Sequence, residues 1–198
     1  MKNILLIVIL ILSCIFAISQ LVLKNYSKNI VNAEYTVLKK YSEFEIREYP
    51  EMFVAKTKLS GGSYDNNSSK GFRRIAGFIF GGNNKQQQIS MTSPVIMDMK
   101  ESVEMSFIMP EGITPSNVPH PNNADVVLEL RPKQIVAVLF FDGWASSEKL
   151  KKKHQELSDL LTNNSIEHGK EFTYLGYDSP MQLVGRRNEL LIPVEYHR

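Results

Sequence analysis

The sequence predicts an α+β fold in which a strand, helix, strand, strand unit occurs twice, with mostly antiparallel strands and the helices on one side, behind an N-terminal hydrophobic helix. Three observations carry this. Several stretches alternate with the period of a half-buried strand, Phe44, Ile46 and Glu48 against Glu45, Arg47 and Tyr49 among them. Phe72, Ile75, Ala76 and Ile79 recur at the i, i+3, i+4, i+7 spacing that puts four apolar side chains on one helical face. Short matches between the two halves keep a common order at a nearly constant offset.

Taken in order, Ile4 to Leu23 is almost wholly apolar, and at 1.5 Å per residue it gives ~30 Å, enough to cross a bilayer. Residues 1–24 are therefore a membrane anchor through 4–23, or a cleaved signal peptide with Ala17-Ile18-Ser19 as the cleavage region; a lipoprotein on Cys14 is a third form. An uncleaved anchor with so short a leading tail sends the domain across the membrane; a cleaved one gives a secreted or periplasmic protein. Residues 25–33 read as a polar linker and 34–198 as the folded domain. Tyr35 to Leu38 and Phe44 to Tyr49 are strands, Pro50 is a break, and Met52 to Leu59 is the next strand. The helix spans about three turns from Lys70, and Gly81-Gly82 ends it. Phe78 lies roughly 110° from the centre of the apolar stripe, beside Arg74, on a face expected to point away from the sheet. Strands follow at Ile89 to Met99, opening around Ser93-Pro94, and at Val103 to Met109; Pro110 to Asp125 is a loop.

The second half answers the first. Glu129-Leu130-Arg131 matches Glu45-Ile46-Arg47 at a shift of 84, and Val138 matches Val54 at the same shift. Ser179-Pro180 matches Ser93-Pro94 at 86, Glu189 matches Glu104 at 85, and Pro193 matches Pro110 at 83. A second helix runs from about Glu148 to Leu161, with Ser146-Ser147 as its cap. The cleft between two such copies is the natural place for a ligand.

Composition narrows the chemistry. With 23 basic and 21 acidic residues spread along the chain, the balance argues against nucleic acid as a partner. The single cysteine excludes an intrachain disulfide, and the four histidines, His120, His154, His168 and His197, lack the short spacings of a zinc site. No nucleophile and base stand in a recognised motif, so an enzyme is not expected. Glu48 or Glu189 in an apolar cleft is the candidate acid or base of a hydrolytic alternative.

FEIREYP at 44–50, ISMTSPV at 89–95, FDGW at 141–144 and GYDSPMQLVGRRNELLIP at 176–193 together resemble the SOUL haem-binding protein family, over roughly Tyr35 to Pro193. The resemblance implies two pseudo-symmetric halves, an eight- or nine-stranded sheet curled into a distorted barrel with two helices against it, and reversible non-covalent binding of haem or a related tetrapyrrole, as carrier, buffer or sensor. It also implies kinship with gyrase-inhibitor-like effector-binding domains. Another flat apolar ligand, or a protein partner, is the alternative. Where some members carry a histidine in Ile-Arg-His-Tyr, this chain has Glu48. The resemblance places the ligand against the first helix, giving Lys70, Phe72, Arg74, Ile75, Phe78 and Ile79 as candidates, with Gln182 after the second Ser-Pro. His154 points with the apolar face of the second helix and is the candidate axial ligand; a core histidine satisfied by one hydrogen bond is the competing reading. Met91, Met97, Met99, Met105 and Met109 read as core filler or a pliable pocket wall, and Arg186-Arg187-Asn188-Glu189 as a hairpin turn, secondarily an anion site at the rim.

Overall fold

A computed structural model describes residues 2–29, 33–61, 63–179 and 181–196. Pro180 and His197 lie outside them. The elements are α1 (Lys2–Asn29), β1 (Thr36–Lys40), β2 (Phe44–Tyr49), β3 (Met52–Leu59), α2 (Tyr64–Ile79), β4 (Val95–Met99), β5 (Val103–Ile108), β6 (Val126–Arg131), β7 (Gln134–Asp142), α3 (Ser147–Asn163), β8 (Phe172–Gly176) and β9 (Arg187–Pro193). The strands form one antiparallel nine-stranded sheet in the order β1-β2-β7-β9-β8-β4-β5-β3-β6.

That order is the duplication made visible. Exchanging β2 with β6, β3 with β7, β4 with β8 and β5 with β9 maps the eight strands after β1 onto themselves, so a pseudo-twofold axis passes between β4 and β8. The register agrees: Arg47 lies opposite Val136, and Arg131 opposite Met52, each pair of equivalents 84 positions apart. Two of the sequence matches are coincidences. Ser93 immediately precedes β4, but Ser179 follows β8, the equivalent strand, so the two do not correspond. Val54 pairs with Ile108 and Val138 with Leu191, which sets the β5 to β9 shift at 83; Pro110 therefore matches Pro193, while Glu104 matches Arg187 and not Glu189.

Local chemistry moved two boundaries. Ser63 caps α2, its side chain accepting from the Asn66 N–H, and Asn67 donates to the Gly61 and Ser63 carbonyls. These bonds start the helix at Tyr64, well before Lys70. Residues 89–94 are not strand, and β4 begins only at Val95, after a proline that has no N–H to give a ladder. The helix at the N-terminus continues to Asn29, into the stretch expected to be linker. Asn3–Asn25 is long and apolar enough to cross a membrane, and none of it is buried in the protein.

The alternation of each strand sends its two sets of side chains to two cores. On one face α2 and α3 cover Ile46, Ala55, Met97, Met105, Phe107, Leu139 and Leu190. Leu150, Leu157 and Leu161 anchor α3 there, each contributing about 1.5 to 3 kcal/mol by burial. Gly71 lets α2 approach closely, since a Cβ there would meet Leu59 Cδ1 at 2.8 Å and Met105 Sδ at 3.0 Å. The other face curls over Tyr49, Met52, Val54, Ile96, Val136, Val138, Leu175, Tyr177 and Leu191, with no helix involved. Two pseudo-equivalent arginines lie on it. Arg47, 1% exposed, donates to Glu189 at 3.1 Å and to Glu45 at 2.8 Å, while Arg131 holds Asp98 through two bonds of 2.6 and 2.8 Å.

Candidate functional site

On the helix-covered face the pseudo-twofold axis opens into a cavity of about 350 Å³. Its floor is Val95 and Met97 of β4, Met105 of β5, and Tyr174 and Gly176 of β8. One wall is α2, through Tyr64, Ser68, Ser69, Phe72 and Arg73; the other is Trp144, Asp178 and Arg186. The size is at the lower end of ordinary ligand sites, and the lining has their usual character, apolar and aromatic with a few polar groups.

The aromatic members are held by their own contacts. Phe72 packs on Phe107 at 5.4 Å between ring centres, and Tyr64 meets Tyr174 edge-on at 5.3 Å. The Tyr174 hydroxyl donates to Asn188 Oδ1 at 2.7 Å, and the Asn188 amide donates to the Gly143 carbonyl at 2.7 Å, tying the floor to the strand end that carries Trp144. Burial pushes the phenols of Tyr64 and Tyr174 up, so both stay neutral donors. The starts of the two helices interlock beside the cavity: the Ser147 N–H donates to Asp65 at 3.2 Å and the Asp65 N–H to Ser147 Oγ at 3.3 Å. Ser146 caps α3, as its sequence predicts.

Arg186 is the buried charged group of the site, beside the more exposed Arg73 and Asp178. It is 8% exposed, stacks on Trp144 at 4.2 Å, and gives its terminal nitrogens to the Ser179, Gln182 and Asp178 carbonyls. Among the described residues its Nε finds no acceptor. A cation in the wall of an apolar cavity suits an anionic group on a ligand.

The candidates read from the sequence are distributed unevenly around this cavity. Phe72 lines it, and so do Met97 and Met105. Phe78 does not point away from the sheet: it is 2% exposed and packs in the core with Ile75 and Ile79, because α2 is covered on more of its circumference than a four-residue stripe implies. Lys70, Arg74 and Phe78 line a separate hollow of about 480 Å³, where Arg74 pairs with Asp125 at 2.8 Å and donates to the Lys58 carbonyl. Gln182 is fully buried and spends its amide on the Val184 and Gly185 carbonyls, shaping the loop behind Arg186.

His154 stacks on Phe172 at 4.7 Å and is not among the cavity residues; its Nε2 is buried without a hydrogen-bond partner among the described residues. Burial, and behind it His168, hold its pKa below the ordinary value. His120 and His168 are also away from the cavity. Glu48 pairs with Lys133 at 2.9 Å on β2, and Glu189 is locked between Arg47, Arg187 and the Tyr177 hydroxyl on the opposite face of the sheet. Neither carboxylate reaches the cavity.

Sequence reasoning did not single out Tyr64, Trp144 or Tyr174. Trp144, the chain's single tryptophan, is legible only as part of the FDGW motif of the family resemblance, and Arg186 only as a secondary anion site at the rim.

The profile described as SOUL heme-binding protein matches residues 30–193. Heme-binding protein 2 of Mus musculus is 30% identical over 156 residues, which is 74% of this chain and 76% of the relative. Among solved structures, the EcmrR C-terminal domain superposes with a TM-score of 0.61 at 14% identity, covering 82% of this chain and 99% of its own. A hydrolase from Listeria innocua superposes at 0.55 with 10% identity, covering 80% of this chain and 94% of its own. At those identities the two structures speak for the fold alone. With a family match across the whole duplicated domain, and a relative at this identity, the chain belongs to the SOUL heme-binding protein family.

Proposed function

We propose that the domain binds haem or a closely related tetrapyrrole non-covalently in the seam cavity, does no chemistry on it, and is tethered to a membrane by α1 on the extracytoplasmic side. The carrying observation is the pairing of an aromatic and thioether lining with a buried arginine that stacks on Trp144 in the cavity wall. A porphyrin is a flat apolar body with carboxylates at one edge, and it needs apolar walls with a cation at the mouth. Phe72, Met97, Met105, Tyr174 and Trp144 supply the walls; Arg186 and Arg73 supply the cations. The family relatives bearing the name Heme-binding protein support the ligand class.

Among the described residues no histidine lines the cavity. The residues present fit a porphyrin face and its carboxylates better than they fit an iron ligand of the imidazole type, so affinity rests on the walls. Iron-free protoporphyrin is expected to bind about as well as haem. Bound haem would supply colour, redox and gas-binding chemistry; the chain's own part is to hold the ring and pair its carboxylates. The tether reading rests on the unburied apolar length of Asn3–Asn25.

The test is spectral titration of the full chain in detergent micelles with haem and with protoporphyrin, repeated on Phe72→Asp and His154→Ala. Saturable binding of both ligands, lost in Phe72→Asp and unchanged in His154→Ala, is the expected result. No saturable binding of either ligand overturns the reading. A sharp low-spin haem spectrum that disappears in His154→Ala would place the ligand against α3 instead.

A further inference from the structure

The loop from Met181 to Gly185 is apolar where a soluble surface would not be. Met181 is 73% exposed, Leu183 48% and Val184 64%, and nearby Trp144 is 51% exposed. Contiguous apolar exposure of this kind marks an interaction surface. What covers it is indicated by its attachment to α1. The Leu183 N–H donates to Gln20 Oε1 at 2.8 Å, and Gln20 Nε2 donates to the Met181 carbonyl at 3.5 Å.

Gln20 lies within the apolar span. Ser13 and Ser19 of the same helix satisfy their hydroxyls on its own carbonyls, those of Leu10 and Phe16. Gln20 instead takes its partners from the loop. A side-chain amide inside a membrane needs such partners, because lipid tails offer none. Gln20 is three residues before Leu23, which places it ~4.5 Å inside the apolar end of the span at 1.5 Å per residue. A loop bonded to Gln20 therefore sits at the level where the hydrocarbon meets the headgroups. Lys24 comes close to Gly185 at the same level: a Cβ on that glycine would lie 3.4 Å from its Nζ. Tryptophan and lysine beside an apolar tip are the usual furniture of that boundary.

We infer that Met181, Leu183 and Val184 insert into the lipid bilayer that α1 crosses, with Trp144 at the headgroup level. The inference rests on the tether reading above and adds a second membrane contact made by the folded domain. It also orients the site. Arg186 and Trp144 line the cavity, and Arg186 is bonded to the Ser179 and Gln182 carbonyls at the root of the same loop. The cavity mouth then opens at the lipid surface, where a flat apolar ligand would partition.

The experiment uses the full chain with Cys14→Ser, reconstituted in vesicles of phosphatidylcholine and phosphatidylglycerol. Single cysteines are introduced as Val184→Cys, Ile9→Cys and Glu101→Cys and labelled with an environment-sensitive fluorophore. Glu101 is exposed in the turn joining β4 to β5, at the far end of the strand from Val95. The expected result is blue-shifted emission from positions 184 and 9, each losing more than half its intensity to nitroxide-labelled lipid, with position 101 unaffected. A label at 184 that behaves like 101 while position 9 is quenched overturns the inference and leaves the tether standing. Loss of quenching at position 9 as well overturns the tether, and the inference with it.

Discussion

Glu189→Gln is the sharpest test of the inner face of the sheet. The Glu189 carboxylate has no solvent exposure and accepts from Arg47 at 3.1 Å, from the Tyr177 hydroxyl at 2.9 Å, and from Arg187. Arg47 is 1% exposed, and its guanidinium also covers the Tyr35 ring at 3.9 Å. Burial alone would lower the Arg47 pKa, but Glu189, Tyr49 and Glu45 outweigh it and the net direction is up, so the group stays charged. The glutamine keeps the shape and one acceptor but removes the charge. The carboxylate left to Arg47 is that of Glu45, whose side chain is 18% exposed. Breaking a buried pair from one side costs roughly 3 to 5 kcal/mol, and the retained acceptor puts this variant near the lower figure. For a domain of this size that corresponds to a fall in melting temperature of about 6 to 12 °C. Thermal unfolding followed by circular dichroism, with a urea titration of the full chain in detergent, measures it. The double replacement Arg47→Met with Glu189→Leu should recover part of the loss, since it removes both fully buried charges together, while Arg187 and the Tyr177 hydroxyl give up their Glu189 acceptor and Glu45 its Arg47 donor. Haem titration should be unchanged in both, because the network and the cavity are on opposite faces of the sheet. A loss below about 1 kcal/mol in Glu189→Gln, or a double variant no better than the sum of the singles, refutes the argument.

Gly71→Val should cost about 1 to 3 kcal/mol by overpacking against Leu59 and Met105, and should weaken porphyrin binding because Met105 is part of the cavity floor; unchanged titration would show that Met105 yields elsewhere. His154, held low by burial and then by His168, binds its proton in the folded state only below the pH at which the unfolded chain does. Its contribution is full above about pH 6.5 and is lost as pH falls through the folded value, so His154→Leu should narrow the stability difference between pH 7.5 and 5.5, and parallel profiles would refute this. Burial pushes Asp98 up, but Arg131 and the Thr173 hydroxyl outweigh it and the net direction is down. Its stabilisation is present above about pH 4 and is lost as pH falls through the folded value, so Asp98→Asn should destabilise at pH 7 and flatten the acid limb of a urea-midpoint profile; an unaltered limb would count against the pair.

The duplication was legible in the sequence because a β-strand's period of two leaves the same apolar and polar order in both copies, and Arg47 and Arg131 occupy equivalent places 84 residues apart. The apolar span, the Ser146 cap and the family resemblance were legible for the same kind of reason: each is a local pattern that physical chemistry reads over a few residues. Dipeptide matches were less secure. Ser-Pro recurs at a similar offset because both copies fall near the same end of the β4 and β8 pair, not because the strands correspond. The cavity was decided only by tertiary structure. Its walls come from α2, β4, β5, β8, the β7 to α3 turn and the segment between β8 and β9, and no single stretch signals that Tyr64, Trp144, Tyr174 and Arg186 converge. Helical periodicity marked one face of α2 as core and offered Phe78 for a ligand. In the fold Phe78 is buried beside Gly82, Asn122 and Asn123, and Phe72 lies at the seam. Which side of an amphipathic helix meets solvent depends on how far the neighbouring layers wrap around it, and that distance is not written in any window of the helix itself.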